Sequence, residues 1–222
     1  MEVLIQIEKK VPEMEDDVKY ERIQYCKDML KRRANFIEET FYGDEMGISL
    51  YDTVSSKGWI GPRKKIKVEY PVKNVKINCW GAISQRGGTS LHIYKGSLNA
   101  DLYEEIVTEH YEEMLDLYPE GFTYQHDNLP IHKAAEPELS KVGFDIFEFP
   151  RYSPDLTPIE NLWKSVKERV SNDNPRTERQ LVSSLHRHWD ILTEPQNLVP
   201  YFSTLHDRYN NCIKKSGQRL LN

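Results

Sequence analysis

The chain has 222 residues, 38% of them hydrophobic and 29% charged, with a formal net charge of −5. That composition excludes an intrinsically disordered chain, and the length suits one large domain with room for a small second one. No apolar run approaches the ~18 residues of a membrane span, the first residues lack the basic-then-apolar order of a signal peptide, and three dispersed cysteines (Cys26, Cys79, Cys212) exclude a cysteine zinc cluster and fit a reducing compartment.

Residues 1–16 read as a loose polar lead-in, and residues 17–222 as the folded domain. Residues 17–33 have helical spacing, with Ile23, Cys26 and Leu30 on one side. Residues 41–50 read as strand, turn, strand, with the turn near Asp44 and Gly47. Residues 51–71 are irregular and basic, with a Gly61-Pro62 turn signal. A strand over 75–83 follows, then a short hairpin element opened by Gly87-Gly88 and running through 91–94. Asn99 is placed to cap one long helix over 100–118, with Leu102, Ile106 and Met114 inward and Gly121 as its stop. Residues 122–127 form a strand ending in an acid. A short helix over 134–142 ends at Gly143, and a strand covers 144–149. Thr157-Pro158-Ile159-Glu160 has the form of a capping box with proline at the first helical position. The helix behind it carries Ile159, Leu162, Trp163, Val166 and Val170 at helical spacing. Thr177–Gln180 repeats the capping pattern before a last helical region. This order predicts an α/β layer with a mixed sheet, in which strand ends gather binding residues at one edge.

Three acids stand at element boundaries. Asp44 follows Phe41-Tyr42-Gly43, Asp127 follows Thr123-Tyr124-Gln125-His126, and Glu160 lies in the first turn of a helix. Convergence of the three would give a set of hard oxygen ligands suited to Mg²⁺ or Mn²⁺. Two such ions side by side support in-line displacement at phosphorus. Each acid also has a plainer use. Asp44 fits a hairpin turn and Asp127 a turn with Asn128. Glu160 fits the closing residue of the capping box, with Lys164 one turn on as an ion-pair partner.

The flanking words are more specific. Gln125-His126-Asp127-Asn128-Leu129-Pro130-Ile131-His132 resembles the QDN-x-P-x-H motif of the Tc1/mariner transposase superfamily. Tyr152-Ser153-Pro154-Asp155-Leu156-Thr157-Pro158-Ile159-Glu160-Asn161-Leu162-Trp163 closely resembles its YSPDLNPIENLW motif. Cys79-Trp80-Gly81-Ala82-Ile83-Ser84 is similar to its WGAIS strand, and Gly43-Asp44-Glu45 to its SDE strand end. The likeness runs from about residue 20 to residue 217.

The resemblance implies an RNase H-like fold with helices flanking a mixed sheet. It also implies a DDE triad of Asp44, Asp127 and Glu160 holding two Mg²⁺ or Mn²⁺ ions. The reaction it implies is metal-dependent cutting at transposon ends and joining to a TA target, in a homodimer or larger synaptic complex on DNA. The compartment would be the nucleus in a eukaryote and the cytoplasm otherwise, with no membrane. Asn128 and His132 are auxiliary candidates, and Arg63, Lys64, Lys65 and Lys67 are candidate phosphate contacts. Asp155 reads as the turn that aims Glu160, with a fourth metal ligand as the alternative, and Trp80 and Trp163 read as core.

The sequence departs from the family pattern in five respects. His126 separates the Gln from the Asp. Thr157 replaces the usual Asn. The interval between Asp127 and Glu160 is shorter than is common. The first motif is the loosest, so Glu45 or Glu39 stands as an alternative to Asp44. About 40 residues precede Asp44, too few for the paired helix-turn-helix modules that usually come before this domain. Two rival functions follow: a domesticated, non-cutting transposase relative that binds DNA or protein, and a two-carboxylate glycosidase, which would need no metal.

Overall fold

The computed structural model describes residues 13–33, 35–54 and 70–220. In chain order these form α1 (Asp16–Lys31), the single turn α2 (Asn35–Glu38), β1 (Thr40–Ser49), β2 (Lys76–Ser84), the two-residue β3 (Gly87–Gly88) and β4 (His92–Tyr94). Next come α3 (Ala100–Glu109), α4 (Tyr111–Leu117), β5 (Thr123–Gln125), α5 (Pro130–Val142), β6 (Asp145–Ile146) and a 3-10 turn at Pro154–Leu156. Four helices close the chain: α6 (Ile159–Asp173), α7 (Glu178–Leu192), α8 (Pro195–Ser203) and α9 (Leu205–Lys214).

The sheet is mixed, in the order β3-β2-β1-β5-β6, with β4 also paired to β2. β1 runs antiparallel to β2 and parallel to β5, which runs parallel to β6. Side chains of a strand alternate between its two faces, and here each face is covered by helices. Tyr42, Met46 and Ile48 of β1, with Ile77, Cys79 and Ile83 of β2, enter the core shared with α1, α6, α7 and α9. Phe41 of β1, with Trp80 and Ala82 of β2 and Tyr124 of β5, enters the core shared with α3, α4 and α5. Burial of large side chains stabilises each layer by roughly 1.5–3 kcal/mol per residue. The five apolar residues foreseen on α6 are all buried, and Trp163 stacks on Trp189 of α7 with ring centroids 4.7 Å apart.

Several boundaries differ from the sequence reading. Residues 40–49 form one unbroken strand, with no turn at Asp44–Gly47. Asp44 pairs with Gly81 and Glu45 with Trp80 in continuous register, so long-range pairing overrides the local turn chemistry. The inward side of α1 is turned by one residue from the expected stripe. Val18, Arg22, Tyr25, Cys26 and Met29 are buried, while Ile23 and Leu30 are half-buried.

The helix foreseen over 100–118 breaks at His110, whose backbone leaves the helical region. The ring Nδ1 of His110 takes the Ile106 carbonyl oxygen at 2.7 Å, the acceptor its own amide would use in an α-helix. The amide turns to Val107 O at 3.3 Å instead. α5 starts at Pro130, four residues earlier than expected, with proline in its first turn and Gly143 at its end. β5 and β6 are shorter than foreseen, because pairing spans only three and two residues.

Candidate active site

The parallel pairing of β1 and β5 ends at Tyr42 opposite Gln125. Asp44 lies two residues beyond the first and Asp127 two beyond the second, so both acids leave the same edge of the sheet. Alternation puts Asp44 on the face of Tyr42, the face that α6 covers. Glu160 is the second residue of α6 and is exposed. All three carboxylates line one cavity of about 490 Å³, together with Gly43, Asn128 and Arg219. Gly81, opposite Asp44, is required by close approach: a Cβ there would stand 2.5 Å from the Trp189 ring.

The electrostatics are those of like charges held together. Burial pushes the Asp44 carboxyl well above its usual range, and Glu45, Glu160 and Asp127 push in the same direction. Partial desolvation of its carboxyl at the cavity wall also raises Glu160, as does Asp127, while Lys167 and Arg219 oppose the shift. Asp127 differs. Burial alone would raise it, but the His132 imidazolium holds it below its usual range. His132 Nδ1 lies 2.6 Å from Asp127 Oδ1, and Nε2 lies 3.3 Å from Glu45 Oε1. Burial disfavours the His132 charge, yet the two carboxylates outweigh it and push the ring up to about 10. This donor set is all oxygen and crowded, which is the chemistry that hard divalent ions fit.

The plainer uses of these acids can now be judged. No capping box forms at Thr157. Pro158 occupies the cap position, and no side chain caps α6. The second box does form its first bond, from the Gln180 amide to the Thr177 hydroxyl. Asp127 does accept a turn bond from the Leu129 amide at 3.0 Å while also facing the cavity. Of the alternatives to Asp44, Glu45 is on the opposite face against His132, and Glu39 precedes β1, bonded to Asn35.

His132 lies in the first turn of α5 rather than in a loop. The Asn128 amide donates to the Phe149 carbonyl, tying the loop after β5 to the segment after β6. Asp155 is absent from the cavity wall. Its carboxylate is buried and paired with Arg22 at 2.9 and 2.6 Å. Trp80 and Trp163 are both buried in the core. Arg63, Lys64, Lys65 and Lys67 lie outside the described residues.

Residues 39–182 match the family described as DDE superfamily endonuclease. The chain belongs to that family. Among curated DDE relatives, it is 25% identical to the Tc3 transposase of Caenorhabditis elegans over 64% of this chain and 44% of that protein. It is 25% identical to the Tcb2 transposase of Caenorhabditis briggsae over 68% of this chain and 59% of that protein. The chain thus spans about half the length of the curated relatives it matches.

Among solved structures, the Mos1 mariner paired-end complex with Mn aligns with a TM-score of 0.83 at 19% identity, over 100% of this chain and 69% of that one. The Mos1 catalytic domain aligns with a TM-score of 0.73 at 19% identity, over 95% of this chain and 100% of that one. The fold of this chain is therefore the RNase H-like mixed sheet flanked by helices.

Sequence reasoning missed the partner of Asp155 and one residue of the cavity wall. Arg22 falls at helical spacing with Val18, Tyr25, Cys26 and Met29, and an arginine inside such an apolar stripe signals a buried anion partner. Arg219, beside the cavity, had no periodic or motif signal at all. His126, the extra residue of the second motif, is buried with Nδ1 2.7 Å from the Tyr103 hydroxyl and Nε2 3.2 Å from Glu136. Burial and the nearby His132 lower its pKa to about 4.

Proposed function

We propose that this chain is the catalytic domain of a Tc1/mariner-type transposase that cuts phosphodiesters at transposon ends and joins the freed 3′-hydroxyl to a TA target. The observation that carries the reading is the meeting of Asp44, Asp127 and Glu160, from two strand ends and one helix start, in a single cavity. These three carboxylates would hold two Mg²⁺ or Mn²⁺ ions. Such ions, when bound, activate the attacking oxygen and stabilise the leaving one.

The chain's own residues do the rest. His132 fixes one oxygen of Asp127 and leaves the other free. Asn128 fixes the loop that carries Asp127. The exposed Glu160 faces the open side, where a DNA strand would enter. Arg63, Lys64, Lys65 and Lys67 are assigned to the DNA backbone. The Mos1 structures described as a paired-end complex and a strand transfer complex support assembly on DNA; a homodimer or larger complex, acting in the nucleus of a eukaryotic host, belongs to the same proposal.

The test is metal-dependent cleavage of a transposon-end duplex by the wild type and by Asp127→Asn and Glu160→Gln. Each change keeps size and removes a ligand charge. Cleavage should require Mg²⁺ or Mn²⁺ and fall by roughly 10²-fold or more in each variant, the scale seen when one charge-stabilising group leaves a preorganised site. Thermal unfolding of the wild type should shift upward with Mn²⁺. Full cutting by Glu160→Gln would return that residue to a purely structural role.

A further inference from the structure

Away from the carboxylate cavity, the structure brings together a second group of metal-ligating side chains. His92 on the edge strand β4, Glu109 at the end of α3 and His110 at the α3–α4 break each offer one donor atom, all within 4.8 Å of one another. None of the three lines the cavity of Asp44. His92 pairs in register with Trp80, and the His110 ring lies 5.0 Å from the Trp80 ring. The group therefore sits on the α3 side of the sheet, whereas Asp44 faces α6.

We propose that His92, Glu109 and His110 form a separate metal site for Zn²⁺ or a similar imidazole-seeking divalent cation, which ties the edge strand to the helix break. Two imidazoles and one carboxylate are a zinc donor set, with a fourth position left for water. Mg²⁺ prefers oxygen alone.

Three features of the geometry support it. His110 is 3% exposed, and its Nδ1 gives its proton to the Ile106 carbonyl at 2.7 Å. That bond fixes the tautomer in which Nε2 keeps the lone pair, the backing that a metal-bound histidine usually has. The same bond breaks the helix at His110, so one hydrogen bond both interrupts α3 and orients the ligand. Next, His92 Nδ1 already stands 3.4 Å from Glu109 Oε2. Metal arms of ~2.0–2.1 Å at tetrahedral angles separate ligand atoms by about this distance. Finally, the cation has a path in. The His92 side chain is 25% exposed and that of Glu109 64%.

The test uses the full chain stripped with chelator and titrated with Co²⁺, then Zn²⁺, under excess Mg²⁺ to occupy oxygen-only sites. One equivalent of Co²⁺ should give the intense visible bands of low-coordinate, imidazole-bound cobalt, and Zn²⁺ should displace it. His92→Gln and Glu109→Gln should each weaken binding at least ~10-fold and abolish the Zn²⁺-induced rise in Tm. Glu109 is exposed, so Glu109→Gln tests the site even if changes at the histidines disturb folding. Circular dichroism of each variant checks the fold. Unchanged cobalt spectra in these variants would overturn the proposal, as would the absence of any such spectrum in the wild type. A signal removed by Glu160→Gln but not by Glu109→Gln would put the ion among the carboxylates and would overturn it equally.

Discussion

Asp155 shows how a motif residue can serve the site without entering it. It stands five positions before Glu160, in the turn that leads into α6, and its carboxylate is spent on structure. Arg22 of α1 binds it through two nitrogens, the Leu220 amide donates to it at 2.8 Å, and Arg22 Nε donates to the Gly217 carbonyl at 2.8 Å. The two charged side chains are 0% and 2% exposed. Burial of such a pair is costly, and its geometry recovers the cost only while both partners remain. Asp155→Ala should therefore lower the unfolding free energy by ~3–5 kcal/mol, because it leaves the guanidinium buried without its counter-ion. Arg22→Met combined with Asp155→Leu should regain most of that loss. Urea unfolding of the two single variants and the double gives the coupling directly. A loss below about 1 kcal/mol from Asp155→Ala would mean that water reaches the pair in solution.

Between elements, the junction of α6 and α7 makes a similar case with a pH signature. Asp173 ends α6, where an acid opposes the helix dipole, yet three side chains of α7 converge on it. The Ser184 hydroxyl and the Arg187 guanidinium donate to Oδ2, and His188 Nε2 lies 2.7 Å away. Burial alone would raise the carboxyl, but these partners outweigh it and hold it below its ordinary value of 3.8. A folded pKa below the unfolded one means stability that is complete above the unfolded value and lost as pH falls through the folded one. Asp173→Asn should cost roughly 1 kcal/mol at neutral pH, and the gap should close on acidification below about pH 4. Paired unfolding curves across that range decide it; a gap that does not depend on pH would show that the carboxylate charge is not involved. Elements also mark how far the sequence could be read. α6 was legible residue by residue, because one apolar stripe at helical spacing meets one core. β1 was not, because its partner β2 lies some thirty residues on and the Asp44–Gly47 word is locally good turn chemistry. The break at His110 was hidden for a related reason: it depends on a side chain competing for a backbone acceptor, which composition does not reveal. The three acids could be picked out by their motif words, but that Asp44 and Asp127 stand at matching positions past a shared strand register could only be seen in three dimensions.

At the scale of the whole chain, the charge works against the partner proposed for it. A net charge of −5 repels DNA, so affinity must come from local clusters of basic residues. The cluster Arg63, Lys64, Lys65 and Lys67 is the densest such run in the sequence between β1 and β2. If these four residues meet phosphates, each neutralised phosphate contributes ~0.9 to the slope of log K against log salt. This chain alone should then bind duplex DNA weakly, with little sequence preference and a steep loss of affinity as salt rises. Replacing all four by glutamine should flatten the slope by roughly 3–4 units while leaving the unfolding midpoint in place. Titration of a labelled duplex at several salt concentrations, with and without the four substitutions, measures both quantities. An unchanged slope would move the DNA contact elsewhere, and Arg219 at the cavity and Lys167 on α6 would be the next residues to neutralise, because they are the cations that oppose the charge of Glu160. Tight binding insensitive to salt would instead require a base-reading surface within this chain.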